Sequence, residues 1–197
     1  MRLTVANQVT LLRMLLIPLF VDLLVYGRPG WALVVFALAG VTDALDGLIA
    51  RRTGQKTSLG AWLDPMADKL LLVTTFVVLT VPQTDLVVRF PLWLTILVIS
   101  RDVVIVITVA IVNIVMGVRT FRPSIWGKIA TAVYLGACVD LMWFNVLGRD
   151  SVWVDLGVWA SLAITLISGF HYIWHAARII NQPAQARPNV GGTTLPS

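Results

Sequence analysis

Long apolar runs, broken at intervals by short polar punctuation, dominate this chain. Six of them stand out, at about Val9–Tyr26, Trp31–Ala50, Ala61–Val81, Pro91–Met116, Ile125–Leu147 and Val154–Ile180. Each is long enough to cross ~30 Å of hydrocarbon as a helix rising 1.5 Å per residue. Turn-forming residues separate several of them: Gly27-Arg28-Pro29-Gly30, Pro82-Gln83-Thr84-Asp85 and Gly148-Arg149-Asp150. The pattern predicts an all-α membrane protein of six transmembrane helices, forming one domain over residues 1–180. The segment 181–197, rich in Pro, Gly, Thr and Gln, reads as a disordered cytoplasmic tail. No repeat of fixed period is visible.

Composition sharpens this picture. Hydrophobic residues make up 58% of the chain and charged residues 13%, against about half and a quarter in soluble domains. The N-terminus lacks a small-residue cleavage site, so the first run reads as a spanning helix and not as a removable leader. Topology follows from the cations. Arg2, Arg51, Arg52, Lys56, Arg119, Arg122, Lys128, Arg178 and Arg187 fall on one side, and Arg28, Arg89 and Arg149 on the other. The positive-inside rule then puts both termini and the 51–60 and 117–124 loops in the cytoplasm. Arg13, Lys69 and Arg101 are left inside helices.

The net charge of +5 points to anionic headgroups or phosphates, since no basic cluster interleaved with aromatics resembles a nucleic-acid surface. The single cysteine, Cys138, excludes an internal disulfide and a Cys-based metal site. All ten acidic residues are Asp, and four of them lie within 26 residues. Asp43 and Asp46 fall near the end of the second run, and Asp64 and Asp68 near the start of the third. A short basic loop joins the two runs, so all four belong at the cytoplasmic side. A carboxylate in a spanning helix costs roughly 2.5–3.5 kcal/mol on insertion scales, which makes such a group a functional candidate.

Helical spacing sorts these residues into faces. Asp43, Asp46, Gly47 and Ala50 share one stripe, and Gly60, Asp64 and Asp68 share another. A connection this short is expected to make the two helices antiparallel neighbours with their stripes facing. Four carboxylates so placed would repel unless divalent cations lay among them. Oxygen donors without His or Cys select hard ions such as Mg²⁺, Mn²⁺ or Ca²⁺. Two such ions suit phosphoryl transfer. Gly47, Ala50 and Gly60 leave bare backbone beside the carboxylates, where a flat ligand can lie or helices can approach. Arg51 adds a forked donor for a diphosphate. Pro65 falls in the first turns of its helix, where it is tolerated or bends it beside Asp64.

These residues spell Asp43-x-x-Asp46-Gly47-x-x-Ala50-Arg51, then eight residues, then Gly60-x-x-x-Asp64-x-x-x-Asp68. The spelling resembles the signature of the CDP-alcohol phosphatidyltransferase family at every fixed position. The likeness covers roughly residues 5–180. Asn7 through Arg13, Leu63 through Lys69, Ser100-Arg101-Asp102 and Gly127 through Thr131 resemble bacterial phosphatidylglycerophosphate synthases. Those members usually carry Glu where this chain has Asp102. Arg101-Asp102 with Arg122-Pro123-Ser124 and Gly127-Lys128 is more similar to eukaryotic-type cardiolipin synthases of the same family.

The resemblance implies a six-helix bundle, usually a homodimer, in a bacterial inner membrane with its site open to the cytoplasm. It implies that Asp43, Asp46, Asp64 and Asp68 hold two ions, Mg²⁺ or Mn²⁺. The CDP of CDP-diacylglycerol would lie against Thr42, Asp43, Gly47, Ala50, Arg51 and Gly60. Asp68 would be the catalytic base. Arg101, Lys128 and Arg119, with Thr10 and Arg13, would bind the acceptor. That acceptor is expected to be glycerol 3-phosphate, then phosphatidylglycerol, then an inositol phosphate.

Plainer readings stand beside these. Arg101 and Asp102 would also serve as a buried neutral pair, Lys128 as an interfacial anchor, Thr10 and Arg13 as links from the first helix, and Lys69 as the partner of a clustered Asp. Asp22 and Asp140 read as structural. His171 and His175, with Tyr172 and Trp174, read as an interfacial polar stripe. Gly157 and Gly169 read as close-packing points. A cation transporter is the rival of another class, because intramembrane Asp clusters also mark ion paths. A lipid-binding scaffold would have no need for the full carboxylate set.

Overall fold

A computed structural model describes residues 5–53, 58–82, 85–116 and 125–180. Over 5–9, 43–53, 58–66 and most of 109–116 and 173–180 it describes the backbone alone. Every regular element among these residues is helical: α1 (Val5–Val25), α2 (Pro29–Thr53), α3 (Ser58–Val78), α4 (Leu92–Met116), α5 (Ile125–Val146) and α6 (Val152–Ile180). The all-α expectation holds, with each predicted run matched by one helix and the boundaries moved by a few residues. The tail 181–197 lies outside the described residues.

Local chemistry sets the helix ends. After α1, Gly27 adopts φ 68° and after α5, Gly148 adopts φ 64°, a left-handed conformation that glycine reaches without steric cost. Paired bonds close each end: Gly27 N–H to Leu24 O and Arg28 N–H to Leu23 O, then Gly148 N–H to Asn145 O and Arg149 N–H to Phe144 O. These satisfy carbonyls that a helix end leaves without intrahelical partners. Pro29 then opens α2, where its missing N–H costs nothing. Before α6, the Ser151 hydroxyl accepts from Trp153 N–H.

α1 packs against both α2 and α3, α6 against both α4 and α5, and α5 joins the two groups by touching α2 and α3. Among the described residues α2 and α3 make no close approach to each other. Through the described residues, α2 and α3 each rest on α1 and α5; the two Asp stripes expected to face each other fall on 43–50 and 60–68, whose side chains lie outside the described residues.

The core is apolar and aromatic. Phe76 stacks on Phe90 at 4.9 Å and meets the edge of Tyr134 at 5.6 Å, around fully buried Leu79, Leu94 and Leu141. The Tyr134 hydroxyl donates to Thr165 at 2.7 Å, and Thr165 donates to the Ser161 carbonyl. The 85–91 connection is pinned to α5 by Asn145, whose amide donates to Val88 O and accepts from Val88 N–H. Gly157 packs as expected, since an added Cβ would come 3.4 Å from Ala137 Cβ. Gly169 does not: a Cβ there would meet nothing within 4 Å, because the residue borders a cavity.

The outside is also apolar. Leu15 is 70% exposed, Ile114 82% and Val152 76%, an extent that soluble monomers rarely show. Ile125–Val146 and Val152–Tyr172 are long and apolar enough to cross a membrane.

Candidate active site

The backbone carries the two Asp stripes on unbroken helix. Residues 43–50 lie within α2 and residues 60–68 within α3, so Asp43/Asp46 and Asp64/Asp68 are each about one turn apart. The side chains of Asp43, Asp46, Ala50, Arg51 and Asp64, and the surroundings of Gly47 and Gly60, lie outside what the structure describes. Among the described residues no group of three metal-ligating side chains comes together. The Thr42 hydroxyl, expected against the CDP, donates to the carbonyls of Leu38 and Ala39 in its own helix.

Asp68 is the described member of the quartet, and it is half exposed. It accepts from Arg13 of α1, whose side chain is 1% exposed. Thr10, one turn earlier, is equally buried. Of the two α1 residues expected at the site, Thr10 is thus buried one turn away in the same helix, while Arg13 lies directly on Asp68. Such a guanidinium anchors the carboxylate where α1 meets α3.

The next residue of α3 begins a second network. Lys69 pairs with Asp102 of α4, not with a described Asp of the quartet. Arg101 donates to the same carboxylate at 2.7 Å, and both side chains are 8% exposed. Arg101 also donates to the Ser168 hydroxyl of α6, and its far nitrogen lies beside Gly127 in the first turn of α5. Lys128, exposed, follows Gly127. Arg101 is therefore held on a carboxylate that it shares with Lys69, close to the plainer reading, and set beside the first turn of α5 and Ser168 of α6. Arg119 and the side chain of His175 lie outside the described residues. His171 is exposed with its ring 6.3 Å from Trp126, which fits an interfacial stripe.

Ser168 is a site residue that the sequence reading passed over. Its signal was present: Ser161, Thr165 and Ser168 share one face of α6 by their i, i+4, i+7 spacing, and all three are buried. The network also makes a testable demand. Asp102→Ala leaves buried Arg101 without its carboxylate, so unfolding in detergent is expected to become easier by about 3–5 kcal/mol. An unchanged melting temperature would exclude the pair as a structural tie.

Comparison with known proteins bears on this arrangement. Residues 3–170 match the model of the CDP-alcohol phosphatidyltransferase family. A probable phosphatidylglycerophosphate synthase of Mycobacterium tuberculosis is 32% identical over 184 residues, covering 89% of this chain and 82% of that protein. The CDP-diacylglycerol–glycerol-3-phosphate 3-phosphatidyltransferase of Escherichia coli K12 is 31% identical over 179 residues, covering 88% and 91%. A CMP-forming cardiolipin synthase of Streptomyces coelicolor is 41% identical over 117 residues, covering 56% and 52%. With the family model spanning most of its length and two relatives each covered over four fifths or more of both chains, this chain is a member of the CDP-alcohol phosphatidyltransferase family and an enzyme of that type.

Proposed function

We propose that this enzyme transfers the phosphatidyl group of CDP-diacylglycerol to a glycerol phosphate headgroup and releases CMP, within phospholipid biosynthesis. The headgroup is free, as glycerol 3-phosphate, or carried on phosphatidylglycerol; relatives named for each activity match this chain. The observation that carries the reading is the meeting of α1, α3 and α4 around Asp68 and Lys69. It sets the last residue of the signature beside cations suited to an anionic substrate.

The residues fit divalent metal. Asp43, Asp46, Asp64 and Asp68 offer oxygen donors in pairs on two continuous helices, the donor type that Mg²⁺ and Mn²⁺ prefer. When bound, two such ions would neutralise the diphosphate and the departing CMP oxygen. Gly47, Ala50 and Gly60 leave backbone open to the nucleotide, and Arg51 offers its fork to the phosphates. The Asp68 carboxylate takes the acceptor's hydroxyl proton. The resulting oxygen forms a bond to the lipid-side phosphorus as the bond from that phosphorus to CMP breaks. Arg101 and Lys128, with Arg119, draw in the acceptor phosphate, while Arg13 and Thr10 hold the α1 side.

In this reading all six helices cross the bacterial inner membrane as one domain over residues 1–180, and the site opens to the cytoplasm. The protein works as a homodimer. Purified protein given CDP-diacylglycerol, Mg²⁺ or Mn²⁺ and one acceptor at a time should release CMP. No release with any acceptor would overturn the enzyme reading for this chain in favour of ion transport.

A further inference from the structure

The groove between α4 and α6 contains a cavity of about 220 Å³. Leu97, Val104 and Ile105 of α4 and Leu166 and Phe170 of α6 form much of its wall. Among the described residues lining it, Arg101 is the only charged one. The Arg101 side chain is 8% exposed, and its Nε has no hydrogen-bond partner. Its other contacts leave charge to spare, since Lys69 and Arg101 share the single carboxylate of Asp102. The cavity follows α4 from Leu97 to Thr108, about 16 Å at 1.5 Å per residue. That is close to one leaflet of a ~30 Å hydrocarbon core.

We infer that this cavity seats an acyl chain of the acceptor, so that the acceptor is an anionic phospholipid whose headgroup ends in a free hydroxyl. The inference rests on the reaction proposed above and narrows its acceptor. A long apolar cleft with a positive charge in its wall suits a molecule that is apolar along its length and anionic at its head. A water-soluble glycerol phosphate would use Arg101 and make no contact with the apolar wall. The same guanidinium stands one ion pair from Lys69, the neighbour of Asp68. A lipid phosphate at Arg101 therefore sends its terminal hydroxyl toward the base. The hydroxyl loses its proton to Asp68, its oxygen joins the phosphorus of the donor lipid, and CMP departs with the electrons of the broken bond. The product carries two phosphatidyl groups on one glycerol.

Gly169 offers the means to test this, because a side chain there enters open space. Gly169→Leu fills the cavity from α6 and Ile105→Phe fills it from α4. CMP release is measured in mixed micelles with CDP-diacylglycerol and Mg²⁺, offering dioleoyl phosphatidylglycerol, dihexanoyl phosphatidylglycerol or glycerol 3-phosphate. The unmodified enzyme should prefer the dioleoyl acceptor over the dihexanoyl one by about tenfold or more in kcat/KM. Either filling variant should raise KM for the dioleoyl acceptor about tenfold, erase the chain-length preference and leave KM for CDP-diacylglycerol unchanged. Release with glycerol 3-phosphate alone would overturn the inference and leave the reaction class standing. A rise in KM for the donor would also overturn it, by giving the cavity to the donor's chain. Equal use of long and short chains by the unmodified enzyme would overturn it without any variant. Silence with every acceptor would instead remove the reaction on which the inference rests.

Discussion

Asp68→Asn is expected to cut CMP release by about 10²–10⁴-fold, the range that a positioned general base supplies. The amide keeps the shape of the side chain and cannot accept the acceptor's proton, so CDP-lipid binding should largely survive. The geometry adds a complication that the test must handle. Asp68 also holds Arg13, which is 1% exposed, and the substitution removes that ionic partner. A stability loss of about 1–3 kcal/mol is expected for a buried group losing one of its partners. Arg13→Gln breaks the same pair and keeps the carboxylate. Both variants should melt earlier, and only Asp68→Asn should lose turnover by orders of magnitude at a temperature where both are folded. Near-normal turnover in Asp68→Asn would remove the base assignment.

Chelation should be as severe. EDTA is expected to abolish CMP release, and added Mg²⁺ or Mn²⁺ to restore it. At an effective dielectric constant near 20, two like charges 4 Å apart repel by about 4 kcal/mol. In the proposed site, carboxylates of α2 and α3 at such distances would therefore favour divalent cations strongly. Metal binding to the folded state should also raise the melting temperature, by about 2.7 kcal/mol of stability at a hundred times the dissociation constant. Asp43→Ala and Asp46→Ala should each lose both the metal-induced rise and metal-dependent CDP binding. Nucleotide affinity that is the same with EDTA and with Mg²⁺ would sink the metal assignment.

Hydrophobic runs interrupted by Gly, Pro and Asp made the helices readable, because a spanning helix carries its boundary signals locally. The signature was readable for the same reason: residues of one stripe are set by spacing alone. Partners across helices were not. Lys69 was expected to find a clustered Asp and instead reaches Asp102, 33 residues away. Ser168 meets Arg101 across 67 residues of chain, and nothing local to either residue announces the other. Gly169 shows the limit most plainly. A small residue in an apolar helix reads equally well as a contact point or as the edge of a cleft, and only the position of α4 decides between them.

The fastening of α3 to α4 sits at two levels, and this has a mechanical consequence. Around residues 79–95 the two helices are tied by Phe90 N–H to Leu79 O, by Thr95 to Thr80 and by the Phe76–Phe90 stack, with Asn145 clamping the connection from α5. Seven residues beyond Thr95, about 10 Å along the axis, the Lys69–Asp102 pair spans them again. α4 is thus fixed to α3 at its Thr95 end and again at Asp102, and to α6 through Arg101 and Ser168. A tilt of α4 of about 6° about its Thr95 end would carry the guanidinium about 1 Å over that 10 Å, and a displacement of that size can change a rate by ~10²-fold. Stiffness at Thr80, Thr95 and Asn145 therefore acts together with the Asp102 and Ser168 contacts to aim the proposed phosphate-binding group.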